Sequence, residues 1–195
     1  MTSSNGPVQL LRAAERPATA WRNGGGVTRE VAGYPAGSGL DEFGWRVSLA
    51  DVASAGPFSA FPGIDRVITL VEGEGMALTV DGAEHVVDAP FRPFAFSGDA
   101  ATDCRLLGGP LVDFNVMTRR GRVTADLLLA DAPRTVDVPA GAAVLLVCLS
   151  GTATSGSTLL TRYDAALLGS AGPYDLRPEG VTAVVTFRTA GTSAA

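Results

Sequence analysis

The chain contains no lysine. All 15 of its basic residues are arginine, set against 20 Asp and Glu, for a formal net charge of −5. Without lysine there is no Schiff-base chemistry and no P-loop lysine. The net negative charge excludes nonspecific nucleic-acid binding, which needs a basic face. The one basic cluster, Arg119-Arg120-Gly121-Arg122, reads as a solvated connection. Charge of either sign is scarce, at 18% of residues, and the 46% that are hydrophobic are ample for a packed core.

Histidine is almost as rare. The only one is His85. A transition metal needs several imidazole, thiolate or carboxylate ligands converging at roughly 2 Å. No Asp/Glu cluster on the candidate strands joins His85, so neither a metal nor another cofactor is expected. The two cysteines, Cys104 and Cys148, lack CxxC spacing, and Cys148 lies in an apolar run. A reduced, cytoplasmic setting is the simplest expectation. Residues 1–7 lack the charged start and apolar stretch of a signal peptide. The longest apolar run, 142–149, is far short of the roughly 20 residues that span a bilayer, so no membrane partner is expected.

Nucleophile arrangements are missing too. Ser59 lies in Phe-Ser-Ala-Phe, not in a Gly-x-Ser-x-Gly elbow. Cys104 would need Arg105 to activate it, and adjacent side chains on a strand point to opposite faces. Gly24-Gly25-Gly26 is followed by the β-branched run 27–31 rather than by a helix N-terminus, so Asn23-Gly24 reads as a turn. No catalytic residue is assigned.

Strand signals are plentiful. Residues 45–50 alternate, with Trp45, Val47 and Leu49 on one face and Arg46 and Ser48 on the other. The run 67–71 is continuously apolar. Segments 76–80 and 83–87 flank Asp81-Gly82, a two-residue hairpin signal that sets His85 opposite Leu78. Further strands fall at 94–96 and 111–117. Residues 143–149, 158–162, 165–168 and 181–187 repeat the pattern about 75 to 80 positions later. Residues 122–130 fit a helix or a strand equally well. This punctuation resembles the small jelly-roll barrel of cupins. The expectation is an all-β bicupin: two stacked jelly-roll β-barrels with very little helix, at 1–120 and 121–195. The N-terminal arm, 7–34, adds edge strands.

The segment Gly56-Pro57-Phe58-Ser59-Ala60-Phe61-Pro62-Gly63-Ile64-Asp65-Arg66 is too rich in Pro and Gly for a regular element and too apolar for a solvated loop. Aromatics around an embedded charge suggest a segment folded over a cavity. Asp65 reads as a local ion-pair partner of Arg66, fixing the loop. Arg46 with Ser48 either faces solvent or offers a guanidinium fork and a hydroxyl to a carboxylate inside a barrel. Asn115 shares a face with Met117, opposite to that of Phe114 and Val116, and a buried amide there needs partners.

These motifs, with Trp21-Arg22-Asn23-Gly24-Gly25-Gly26 upstream, Leu70-Val71-Glu72-Gly73-Glu74-Gly75 and Asp113-Phe114-Asn115-Val116-Met117 downstream, resemble the HutD/Ves family. The resemblance covers 20–120 strongly. It implies a two-barrel cupin tied to control of histidine breakdown, with a ligand cavity lined by Trp21, Asn23, Arg46, Ser48, Phe61, Arg66, Asn115 and Met117, and it supplies no catalytic residue. The C-terminal repeat keeps none of these groups and reads as structural.

Two functions remain open. One is a non-enzymatic protein sensing a small carboxylate metabolite, such as formylglutamate or urocanate, to modulate histidine utilisation. The other is a metal-free isomerase or epimerase acting on a small sugar or amino-acid derivative. Only His85, or a shifted Glu30 or Asp113, could serve as its acid or base. Assembly as a homodimer is compatible with either.

Overall fold

Asp81 and Gly82 adopt positive φ, 46° and 85°, the left-handed pair that a tight hairpin turn demands. The hairpin they close, β7 (Met76–Val80) with β8 (Ala83–Val87), places His85 opposite Leu78, as its turn dictates. The computed structural model describes residues 7–190. Apart from one 3-10 turn at Ala13–Glu15, its regular elements are all strands.

Contacts divide the chain into two units. The first comprises residues 16–122. It contains β2 (Thr19–Ala20), β3 (Gly26–Tyr34), β4 (Trp45–Val52), β5 (Gly56–Pro57), β6 (Ile64–Glu72), β7, β8, β9 (Pro93–Ser97), β10 (Thr102–Leu106) and β11 (Leu111–Arg119). One antiparallel sheet runs β2-β3-β4-β11-β6-β9 and the other β5-β10-β7-β8. Between them lies a core of Ala50, Ile68, Leu70 and Leu111 from one sheet and Met76, Leu78 and Cys104 from the other. Burying each large aliphatic side chain contributes roughly 1.5–3 kcal/mol.

The second unit takes β1 (Val8–Leu11), β12 (Val123–Ala130), β13 (Arg134–Val138), β14 (Ala143–Cys148), β15 (Thr152–Ser155), β16 (Thr158–Leu160), β17 (Ala165–Leu168), β18 (Gly172–Glu179) and β19 (Thr182–Thr189). Its sheets run β1-β17-β14-β19-β12 and β13-β18-β15-β16. The segment 122–130, readable as helix or strand, holds strand β12, whose eight residues Val123–Ala130 all pair with β19.

The repeat seen in the sequence is a repeat of topology. The orders β4-β11-β6-β9 and β5-β10-β7-β8 recur as β12-β19-β14-β17 and β13-β18-β15-β16. Gly73 after β6 and Gly151 after β14 both take positive φ at corresponding turns. The sheets of each unit are separate and antiparallel rather than one closed ring of strands.

The arm divides between the units. Strands β2 and β3 extend the first unit, while β1 pairs with β17 of the second. Residues 7–15 therefore group with 123–190, although a division at residue 120 would put them in the first unit. The β1–β17 pairing and Asp164 both hold the arm there. Asp164 is buried, and it accepts hydrogen bonds from Arg12 Nη1 (2.7 Å), the Ala13 N–H (2.9 Å), the Thr161 N–H (3.0 Å) and the Thr161 hydroxyl (2.8 Å). Burial opposes its ionisation, but the bonds from Ala13, Thr161 and Arg12 hold its pKa at about 2.

Candidate functional site

Strand pairing sets side chains of β4, β11 and β6 in rows. Met117 stands opposite both Arg46 and Arg66. One step along, Asn115 stands opposite Ser48 and Ile68, and one further, Asp113 opposite Ala50 and Leu70. Every second residue of a strand shares a face, and Ala50, Ile68 and Leu70 belong to the core. Arg46, Ser48, Arg66, Asp113, Asn115 and Met117 therefore all face the interior of the first unit. Of the two readings of Arg46 and Ser48, the inward one describes the structure.

Burial is deep for all but Arg46. Arg66 and Asn115 are 6% exposed, Ser48 3% and Asp113 1%. The Arg66 guanidinium lies against three rings, with centroids 5.4 Å away for Phe58, 5.4 Å for Phe61 and 4.9 Å for Phe96. Such contacts are worth roughly 2 kcal/mol when desolvated, but they offer no hydrogen bond. Among the described residues, no ion pair involves Arg66 and its Nε has no hydrogen-bond partner. Burial lowers its pKa to about 10, opposed by Asp113 and assisted by Arg46, so it stays charged at neutral pH.

Asp113 and Asn115 complete this set. The Oδ1 atoms of both lack hydrogen-bond partners. Burial pushes the Asp113 carboxyl up to about 7, while Arg66 and Asn115 pull it down and Asp51 adds to the rise. An orphaned buried polar atom costs roughly 1–3 kcal/mol, so three on one face are not explained by packing. Cys104 lies in the same core, 3.7 Å from the Met76 sulfur, and burial with the nearby Asp113 raises its thiol to about 11, too high for a nucleophile.

The other expected residues divide. Arg46 Nε donates to Glu30 Oε2 at 2.7 Å, so part of its fork is engaged. Phe61 is pinned where its N–H donates to the Gly98 carbonyl at 2.8 Å. A Cβ on Gly98 would come within 2.7 Å of the Phe61 carbonyl, so only glycine lets the segment lie this close. Trp21 donates from Nε1 to Thr28 Oγ1 at 2.7 Å and meets Phe58 edge-on at 6.2 Å, which links it to the rings around Arg66. Asn23 stands apart. It is exposed, and its Oδ1 accepts the Gly25 N–H at 3.0 Å, capping the turn at Gly24.

Two local readings differ from the structure. Asp65 does not pair with Arg66, because neighbouring strand residues point to opposite faces. It accepts from Arg120, which also bonds Asp99 and Ser97. The arginine cluster is therefore more than a solvated turn, since Arg119 also donates to the Phe43 and Asp41 carbonyls. Phe58 and Phe96 join the site without being among the site residues the sequence points to. Phe58 was visible inside the aromatic segment. Phe96 is placed by the β6–β9 pairing, which leaves no local signal.

The interior does not suit a transition metal. It offers Arg, Ser and Asn, one carboxyl near neutrality and a protonated thiol. Among the described residues no three of His, Cys, Asp and Glu group to hold an ion. His85 is exposed, its ring 4.9 Å from that of Phe94.

The second unit builds the same scaffold differently. With Gly73 and Gly151 matched, Val144 takes the place of Arg66 and Leu146 that of Ile68. Pairing then sets Val184 where the first unit has Asn115, and Leu128 where it has Ser48. Val144, Leu146 and Val184 are buried in that unit's core, so its copy of this scaffold has no charge at the Arg66 place.

Comparison with known proteins follows the same lines. The HutD family profile matches residues 13–185. Protein Ves of Citrobacter koseri is 39% identical over 178 residues, 89% of this chain and 90% of that protein. A 21.2 kDa protein from the hutC 3′ region of Pseudomonas putida is 48% identical over 120 residues, 62% of this chain and 63% of that protein. The solved structure of HutD from Pseudomonas fluorescens SBW25, from a formate condition, superposes with a TM-score of 0.85 at 35% identity, covering 95% of this chain and all of that one. The chain belongs to the HutD/Ves family and has its cupin-like fold.

Proposed function

We propose that the first unit is a non-enzymatic receptor for a small carboxylate metabolite, bound at Arg66. The observation that carries this reading is the buried guanidinium of Arg66. It lacks an ion-pair partner among the described residues, in a scaffold whose second copy has valine at that place. A ligand carboxylate would supply the missing acceptors as charge-assisted hydrogen bonds. Asn115, Ser48 and Arg46 would bind its other polar groups, with Phe58, Phe61 and Trp21 as apolar walls. The rings cover Arg66, so entry requires the 56–63 segment to swing aside.

Membership of the HutD family, and the hutC-region relative, favour an intermediate of histidine degradation such as formylglutamate or urocanate. Sensing it would modulate histidine utilisation from the cytoplasm. On this reading the two eight-stranded repeats are the jelly-roll barrels of a bicupin, the first binding and the second structural.

The test is calorimetric titration of formylglutamate and urocanate into wild type, Arg46→Ala and Arg66→Ala. Loss of Arg66 from a buried ion pair should cost about 2–5 kcal/mol of binding. Arg46, already paired with Glu30, should cost less. Binding unchanged in both variants, or no binding by wild type at millimolar concentration, contradicts the proposal.

A further inference from the structure

We propose that Asp113 is the specificity residue of this site, taking up one proton when a carboxylate binds beside Arg66, so that ligand binding is coupled to pH. This rests on the reading of Arg66 as the anchor for a carboxylate.

The geometry comes first. Asp113 lies on the same face of β11 as Asn115 and Met117, and Met117 pairs with Arg66 across the sheet. Asp113 is 1% exposed and its Oδ1 has no hydrogen-bond partner. The charged groups acting near it are few. From β6 there is Arg66. From β4 there are Arg46, held by Glu30 of β3, and Asp51, which is paired with Arg29 of β3. From β10 there is the Cys104 thiol, which burial keeps protonated, and Met76 of β7 brings no charge. Arg66 is the one nearby cation without a carboxylate in ion-pair contact among the described residues.

A ligand carboxylate at Arg66 would bring a second negative charge to the interior that holds Asp113. A further negative charge in this dry interior disfavours the ionised form of Asp113, and one proton is bound from solvent. Asp113 is the group to receive it. It is fixed in the core and already titrates near neutrality, whereas the ligand gains the guanidinium. Protonation turns its orphaned Oδ1 into a hydroxyl donor. The Asn115 Oδ1 or a ligand oxygen is then its acceptor, so one proton satisfies the Asp113 Oδ1 and one acceptor. A neutral amide or ester of the same metabolite brings no charge and draws no proton.

The experiment is titration calorimetry of the full chain with formate, the smallest carboxylate, and with N-formylglutamate. It runs from pH 6 to pH 9 in two buffers of different ionisation enthalpy, for wild type and Asp113→Asn. Wild type should bind up to about tenfold more weakly per pH unit above neutrality, with uptake approaching one proton. Asp113→Asn should show no proton uptake and a Kd independent of pH, binding about tenfold tighter than wild type at pH 8. A wild-type Kd that is constant across this range, without proton uptake, overturns the role of Asp113 and leaves the Arg66 site standing. A folded Asp113→Asn protein that still takes up the proton also overturns it. Absence of binding at every pH removes the Arg66 site and this inference together. The proton count in wild type stands on its own should the variant not fold.

Discussion

Arg66 and Phe96 stand directly opposite each other on β6 and β9, with the guanidinium 4.9 Å from the ring centroid. The pairing gives a buried cation an aromatic face and no anion. A ring quadrupole attracts a cation but only partly replaces its lost hydration. The fold therefore carries a cost at Arg66 that a ligand would relieve.

The first prediction is that this cost can be removed at the expense of binding. Arg66→Met has similar length and no charge. It should raise stability by about 1–4 kcal/mol, as seen when buried charges give way to apolar groups, and abolish carboxylate binding. Chemical denaturation measures the first effect and calorimetry the second. A variant that is destabilised by several kcal/mol would mean that Arg66 holds the core together.

A second prediction concerns pH and stability in the absence of ligand. The folded-state pKa of Asp113 is raised from its ordinary 3.8 to about 7. The folded protein thus binds the proton more tightly than the unfolded chain. The resulting stabilisation is complete below the unfolded pKa, declines as pH rises and is gone above about 7. The change amounts to about 4 kcal/mol at most. Wild type should melt at progressively lower temperature from pH 5 to pH 8, and Asp113→Asn should flatten that decline. An equal slope in the variant would assign the effect to other groups.

Asp164 predicts the opposite dependence in a different range. Its pKa is lowered to about 2, so its stabilisation is present above its ordinary value near 4 and lost as pH falls towards 2. Asp164→Ala strands four donors and releases the arm at Arg12 and Ala13. It should cost about 2–4 kcal/mol and speed amide exchange at Val8–Leu11. Exchange there at the wild-type rate would show that β1 is held by its pairing with β17 alone.

Phe61 gives a fourth prediction. Its ring faces Arg66, and it is the apolar residue of the 56–63 segment fastened to Gly98. Phe61→Ala should open the way to Arg66 and raise both association and dissociation rates of a carboxylate in stopped-flow measurements. Unchanged rates would place the entrance elsewhere.

Much of this structure was legible where the signal is local. Asp81-Gly82 fixed a register, and with it the pairing of His85 with Leu78. Alternation in 45–50 put Arg46 and Ser48 on one face, and alternation in 113–117 did the same for Asn115 and Met117. Whether that face met solvent or core depended on a second sheet, which alternation does not reveal. What escaped was nonlocal. Asp65 was adjacent to Arg66 in sequence, yet it meets Arg120, 55 positions away. Arg12 meets Asp164 across 152 positions, which carries β1 to the second unit. Phe96 reaches Arg66 only through the β6–β9 pairing. Asp113 stood out in sequence only as a possible shifted carboxyl, and its burial comes from two sheets closing over it.

The central claim is that Arg66 holds a ligand carboxylate inside the first unit. A crystal structure of the protein grown with N-formylglutamate tests it most directly. The account predicts a carboxylate oxygen about 2.7–2.9 Å from the Arg66 guanidinium, with the 56–63 segment closed over it. A guanidinium still enclosed only by Phe58, Phe61 and Phe96, with the metabolite bound elsewhere, would contradict it.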